Sequence, residues 1–365
     1  MCGLVLLGNL IDLHLVEPRY DVRILPQNHL QNKCSNGRGT AYADPAKAVR
    51  KSRSYTEMGQ ALISQTFKFE FYGLFTIMCA PREPKEINAT MITIEDIRKA
   101  IQNLNLSNRP VCIHASLRSF GWVKGGPLAV VDGFLAEGCT VVVPTFSYDL
   151  AAQPPVDMRP LRNGYDYDTI EEPVPGSSRI YTPKSTAFSR EYMGAIPAAV
   201  MAMPRHVRGN HPLNSFTAVG PLAHDLISTQ EPMNVYGPLK ALAETKGAVV
   251  MMGVGLNRMT LLHLAEQMAG RNLFRRWANG PDGQPMQVEV GSCSEGFVNL
   301  EPILLPITAE AKVGASVWRV YPVKETLATA AKEIRANPRL THCDDANCLR
   351  CQDAVLGGPI LDDSK

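Results

Sequence analysis

Apolar and polar residues change their rhythm at Met91. From there MITIEDIRKAIQNLNL sets Ile92, Ile94, Ile97, Ala100, Ile101 and Leu104 near one helix face, which predicts an amphipathic helix. Residues 110–113 then read as a strand, 127–135 as a helix and 140–146 as a second strand. That order is a βαβ unit, whose right-handed crossover makes the two strands parallel. Residues 195–203 and 222–228 read as further helices. Ala248 to Val254 is a dense apolar run, the pattern of a strand buried on both faces. It breaks on Gly253 and Gly255, and a helix starts near Asn257 or Thr260, both good N-cap residues. Beyond Arg271 the pattern weakens: PDGQP reads as a turn, VWRVYPV as a strand and ETLATAAKEIRAN as a helix. Alternating strands and helices predict an α/β domain.

Residues 1–90 show neither rhythm in a sustained way. They mix basic, polar and turn-forming residues, and their one compact apolar piece, residues 67–80, fits a strand or a hydrophobic helix. This region is expected to be a disordered extension, or an upstream translation outside the functional protein. The domain is expected over residues 91–357, with 358–365 as a tail.

Composition narrows the classes. Apolar residues make up 45% of the 365, enough for a sizeable core. The formal charge of +2 provides no global field for nucleic acid. No apolar run reaches the length of a membrane span, and the N-terminal MCGLVLLGNLIDLHLVEP lacks the cationic start and cleavage site of a signal peptide. Nine cysteines, with Cys112 and Cys139 inside apparent core strands, suit a reducing cytoplasm.

Candidate chemistry concentrates in the loops. His263 falls in the first turn of the helix after the glycine break, beyond the C-terminal end of a strand, where open α/β sheets place ligands. A helix N-terminus disfavours an imidazolium and would keep His263 a neutral proton acceptor. A general base and a capping or core histidine both fit this spacing. The loop HASLRSFGWVKGG offers Ser116, Arg118, Ser119, Lys124, Gly125 and Gly126 between strand and helix, either a phosphate cradle or an ordinary turn. It lacks both G-x-G-x-x-G and the P-loop signature, and the chain has no G-x-S-x-G elbow. Residues 147–190 include Asp149, Asp157, Asp166, Asp168, Glu171 and Glu172, with Arg159 and Arg162 set among them. Such a cluster suits a cationic ligand, or is simply a solvated surface. His211, before a proline, either binds ligand or caps the next element. His342, Cys343, Cys348 and Cys351 form H-C-x4-C-x2-C, but no second C-x2-C partners it, so a reduced tail and no metal are expected.

Taken in order, VCIHASLRSFGWVKGG, TVVVPTFSYD, HVRGNHPLNSFTAVGP, YGPLKAL, GAVVMMGVGLNRMTLLHLAE and CLRCQDA resemble the aminoglycoside 3-N-acetyltransferase family, colinearly over about residues 91–357. The resemblance implies a three-layer α/β/α fold around a mostly parallel or mixed sheet. It implies acetyl-CoA as cosubstrate and transfer to the 3-amino group of a 2-deoxystreptamine aminoglycoside, conferring antibiotic resistance. CoA would lie along the first βα loop, against His114, Ser116, Leu117, Arg118, Ser119 and Gly121, with Gly125 and Gly126 opening the helix. The family's general base corresponds to His263, and an acidic residue after the PTFS strand to Asp149. Asp166, Asp168 and His211 would then face the acceptor, while Glu266 tethers the helix or supports His263. A glutamate about thirty residues after the histidine normally completes such a site; here Ser292 stands near that place, flanked by Glu289 and Glu295 as alternatives. The usual Ser-Pro-Leu is altered to Gly237-Pro238-Leu239. These departures keep two other readings open: acetylation of a different amine, and a catalytically silent protein that binds CoA or the drug.

Overall fold

A computed structural model describes residues 91–168 and 179–361, together with the backbone of three strands within residues 3–25. The chain divides into two units, Met1–Ala80 and Pro81–Lys365. In the first, β1 (Gly3–Leu6), β2 (Asn9–Val16) and β3 (Arg19–Leu25) pair antiparallel in the order β1-β2-β3. The expectations for the rest of residues 1–90, including the apolar piece at 67–80, lie outside the described residues, as do Glu171 and Glu172.

The second unit opens with α1 (Ile94–Asn103), started by a capping box in which Thr93 Oγ1 accepts from the Asp96 amide and Asp96 Oδ2 accepts from the Thr93 amide. Ile97, Ala100 and Ile101 are buried as the periodicity predicts, whereas Ile94, in the first turn, is 39% exposed. The predicted βαβ unit follows as β4 (Pro110–Ala115), α2 (Gly126–Ala136) and β5 (Thr140–Pro144), with β4 and β5 parallel. Next come β6 (Ala151–Ala152), α3 (Arg190–Met193), α4 (Ala195–Ala202), β7 (Val207–Arg208), β8 (Phe216–Val219), α5 (Ala223–Ile227) and α6 (Gly237–Glu244). The opening half of the glycine-broken motif is β9 (Ala248–Met252), and its helix is α7 (Leu261–Met268). A 3-10 turn at Leu256–Arg258 separates them, and Thr260 is the N-cap without a side-chain capping bond. The chain ends with β10 (Phe274–Asn279), β11 (Pro285–Val290), α8 (Glu301–Leu304), β12 (Ala309–Val313), β13 (Ser316–Pro322), α9 (Val323–Ala336) and α10 (Leu349–Val355).

The central sheet has seven strands in the order β12-β13-β9-β4-β5-β8-β7. It is mixed: β4 is parallel to both β5 and β9, and the outer pairings are antiparallel. Strand alternation sends Val111, Ile113, Val141, Val143, Val250 and Met252 to one face, where they pack with Ile97, Ile101, Val130, Phe134 and Val200 of α1, α2 and α4. Cys112, Val142, Val249 and Met251 face the other way, toward Leu226, Leu239, Leu262 and Leu327 of α5, α6, α7 and α9. Those two apolar layers make the three-layer α/β architecture. A smaller sheet, β11-β10-β6, carries the hairpin closed by the PDGQP turn and shares an apolar cluster with Ala354 of α10.

This topology positions the site. β4 leads through α2 to β5 on one side, while β9 sits on the other side of β4, so a crevice opens beyond the carboxyl ends of β4 and β9. The loops there touch closely. Gly253 has φ +64°, and a Cβ on it would fall 2.1 Å from Ser119 Oγ, which itself hydrogen-bonds Ser316 Oγ at 2.8 Å. Among the described residues, no helix is long and apolar enough to cross a membrane.

Candidate active site

A cavity of about 850 Å³ occupies this crevice. His114 at the end of β4, Tyr148 after β5, Asn257 and Arg258 after β9, and Ser292 and Glu295 after β11 line it, and α7 contributes His263. The short, glycine-interrupted link from β9 to α7 is what turns His263 back over the sheet's edge. Its ring is clamped between two aromatics, stacked on Tyr236 with centroids 6.2 Å apart and edge-on to Phe297 at 4.7 Å. Gly291 passes so close that an added Cβ would lie 2.5 Å from His263 Cγ.

The carboxylate on His263 is that of Glu266, with Nδ1 3.0 Å from Oε2. Glu266 is only 3% exposed and fully engaged. Ser292 Oγ donates to Oε2 at 2.7 Å, Thr341 Oγ1 donates to Oε1 at 2.9 Å, and Arg271 forms an ion pair with Oε1. Burial pushes the Glu266 carboxyl up, but the His263 hydrogen bond, the Arg271 charge and the Ser292 hydroxyl outweigh it and hold the pKa below its ordinary value. An ionised Glu266 can only accept, so the tautomer of a neutral His263 that fits has its proton on Nδ1 and its lone pair on Nε2.

The other expected site residues separate into two groups. His114 lines the cavity, and burial lowers its pKa to about 4, so it is neutral. Glu295 also lines it and accepts from Asn257 Nδ2 at 3.0 Å. Ser116, Leu117, Arg118, Ser119 and Gly121 form the turn after β4 outside the cavity lining, and Gly125 and Gly126, at φ +84° and +62°, open α2. Glu289 is not the partner of His263: it pairs with Arg275 at 3.1 Å, and burial raises its carboxyl pKa despite that cation. His211 is a cap. Its Nε2 donates to the Glu289 carbonyl at 2.8 Å and its Nδ1 accepts from the Asn214 amide at 2.8 Å, which leaves neither nitrogen for a ligand. Asp149 lies beside the cavity in an ion pair with Arg179, and Asp166 and Asp168 sit in an exposed turn outside the lining.

The family model for aminoglycoside 3-N-acetyltransferases matches residues 112–335, which span β4 to α9 and include His263, Glu266 and Ser292. The chain belongs to this family. It is therefore an acyltransferase of a resistance-related family. An aminoglycoside N(3')-acetyltransferase-like protein, YokD, of Bacillus subtilis is 26% identical over 66% of this chain and 91% of its own length. Aminoglycoside N(3)-acetyltransferase VIII of Streptomyces fradiae is 33% identical over 44% of this chain and 54% of its own. Among solved structures, the apoenzyme of aminoglycoside acetyltransferase AAC(3)-IVa superposes with a TM-score of 0.58 at 23% identity, covering 73% of this chain and 98% of that one, which supports the fold.

Several features of this acetyltransferase carry little sequence signal. Arg271 and Thr341 reach Glu266 from outside α7, and Arg258, Arg276 and Arg350 line the cavity from three separate segments. Ser292, at the place where the resemblance implies a glutamate, serves Glu266 instead of His263. The tail cysteines are free, as expected of a reduced tail, and the fold brings them a further neighbour. Cys343, Cys348 and Cys351 meet a fourth thiol, Cys293 of the loop after β11, with all four sulfurs within 4.8 Å of one another. Spacing in the tail could not show it, because the fourth cysteine lies fifty residues before the first of the three.

Proposed function

We propose that this chain transfers the acetyl group of acetyl-CoA to the 3-amino group of a 2-deoxystreptamine aminoglycoside, with His263 as general base. The observation that carries the reading is the Nδ1–Glu266 hydrogen bond of a cavity-lining His263, which fixes the basic lone pair on Nε2. As the amine nitrogen bonds to the thioester carbon, its proton passes to Nε2, and ionised Glu266 stabilises the imidazolium. Backbone N–H groups near the glycine turns would meet the oxyanion. When the carbon–sulfur bond breaks, the thiolate leaves with the electron pair and takes the proton from the imidazolium. No covalent enzyme intermediate is needed, so transfer is direct within a ternary complex. Relatives support both substrates: one solved family structure holds a gentamicin and another CoASH. An acetyl-CoA-dependent reaction fits a cytoplasmic enzyme.

The test is thiol release from acetyl-CoA across a panel of aminoglycosides. The reading expects free CoA in step with a mono-acetylated drug, abolished acceptor by acceptor when the 3-amino group is absent. A burst of CoA without acceptor, leaving an acetylated enzyme, would overturn direct transfer. One observation favours a second acceptor class: among described residues the cavity lining has three arginines, Arg258, Arg276 and Arg350, against Glu191 and Glu295. That balance suits an amine that also bears an anionic group. Turnover with such amines and none with any aminoglycoside would select it.

A further inference from the structure

We propose that Cys293, Cys343, Cys348 and Cys351 form a structural zinc site that fastens the loop after β11 to the C-terminal segment. Their four sulfurs lie within 4.8 Å of one another, and the Cys343 and Cys351 sulfurs are 3.5 Å apart. A tetrahedral zinc with bonds of about 2.3 Å sets its sulfurs about 3.8 Å apart, close to that separation. A disulfide would need about 2.0 Å. The ligands also arrive as zinc thiolate sites are built. Cys348 is the N-cap of α10 and Cys351 lies in its first turn, which gives the C-x2-C pair. The other two come from separate segments, Cys293 from the loop after β11 and Cys343 from the coil before α10. The Cys343 amide points at Cys351 Sγ from 3.4 Å, a donor that favours a thiolate there.

Four thiolates complete a tetrahedral shell and leave no position for water, so this zinc braces structure and takes no part in transfer. What it braces is specific. Ser292, next to Cys293, donates to Glu266 Oε2, and Thr341, two residues before Cys343, donates to Glu266 Oε1. One ion would thereby tie together the two segments that grip the carboxylate behind His263. The inference stands on the four sulfurs and does not depend on the acceptor or on acetyl transfer.

The experiment uses the full chain, purified under reducing conditions without added metal. Elemental analysis should find about one zinc per chain. After stripping with a mercurial and chelator, cobalt(II) should produce the sulfur-to-cobalt charge-transfer and d–d bands of a tetrahedral tetrathiolate, and zinc should bleach them. Cys343→Ser should weaken zinc binding more than about tenfold, the loss that removing an outer-shell partner already causes. Cys112→Ser should keep the wild-type stoichiometry. If Cys343→Ser does not fold, protection of the four native thiols from alkylation, lost on stripping, reads the same site. Metal-free protein that gives no tetrahedral cobalt spectrum overturns the proposal, as does recovery of these cysteines as disulfides from freshly purified chain.

Discussion

His263 Nδ1 lies 3.0 Å from Glu266 Oε2, one turn further along the same helix. The pair is buried, and the carboxylate has further partners on each oxygen, so the imidazole cannot turn without breaking a network that reaches Arg271, Ser292 and Thr341. Orientation and tautomer are therefore fixed before any substrate arrives.

Replacing each member of the pair should have distinguishable effects. His263→Ala should lower turnover by about two to four orders of magnitude with folding retained, the range expected for a general base. Glu266→Gln should lower turnover too, because the tautomer is no longer enforced. It should also cost about 3–5 kcal/mol of stability by leaving Arg271 buried without its anion. Thiol-release kinetics and thermal unfolding on the same preparations separate the two. A folded His263→Ala enzyme with unchanged turnover would remove His263 from the chemistry.

Gly291 tests whether the clamp on the ring matters. Its missing side chain lets Tyr236 and His263 close on the backbone, since a Cβ there would sit 2.5 Å from His263 Cγ and 2.6 Å from the Tyr236 hydroxyl. Gly291→Ala should force the ring aside at a cost of about 1–3 kcal/mol and reduce kcat more than the KM for acetyl-CoA. An enzyme with wild-type kcat would show that the ring's position is not set from this side.

How far the site was legible depends on distance along the chain. The β4–α2–β5 unit, the buried β9 strand and the helix carrying His263 follow from local periodicity and glycine breaks, which act within about ten residues. Glu266 was within reach as well, because residues three apart on a helix share a face. Its selection over Glu289 and Glu295 was not, since it needed Arg275 to occupy Glu289 and Asn257 to meet Glu295. The same holds for Cys293, whose partners are set by how β11 and α10 pack. His211 shows the converse: pre-proline spacing allowed a ligand, but burial and two backbone partners made it a cap.

Two buried histidines set an acid limit. Burial lowers the pKa of both His114 and His211 to about 4, from an ordinary value of 6.5. Between those values the unfolded chain binds protons that the folded chain refuses, so stability falls as pH falls. The contribution is complete above pH 6.5 and is lost progressively down to about 4, on the order of 3 kcal/mol for each ring. Thermal unfolding should therefore shift down between pH 7 and 5, ahead of most carboxylate protonation. His211→Gln should flatten part of that slope while lowering Tm at neutral pH, because the amide cannot satisfy both backbone groups as the ring does. A melting temperature that stays level across this interval would mean that both rings titrate normally.

Arg208 is the strongest candidate for a purely architectural charge behind the cavity wall. It is 4% exposed, and its guanidinium donates to the Thr145, Ser185 and Ala187 carbonyls and to the Ser147 and Ser215 hydroxyls, while lying 5.0 Å from the Tyr181 ring. These partners sit where β5 runs into the segment bearing Phe146 and Tyr148, both cavity residues. A lysine has three donors in a different geometry and cannot replace the fork. Arg208→Lys should cost about 3 kcal/mol or more through unpaired buried acceptors. Because the damage falls on the wall and not on His263, the folded fraction should show a raised acceptor KM with kcat close to wild type. A loss of kcat with unchanged KM would instead connect Arg208 to the His263–Glu266 pair.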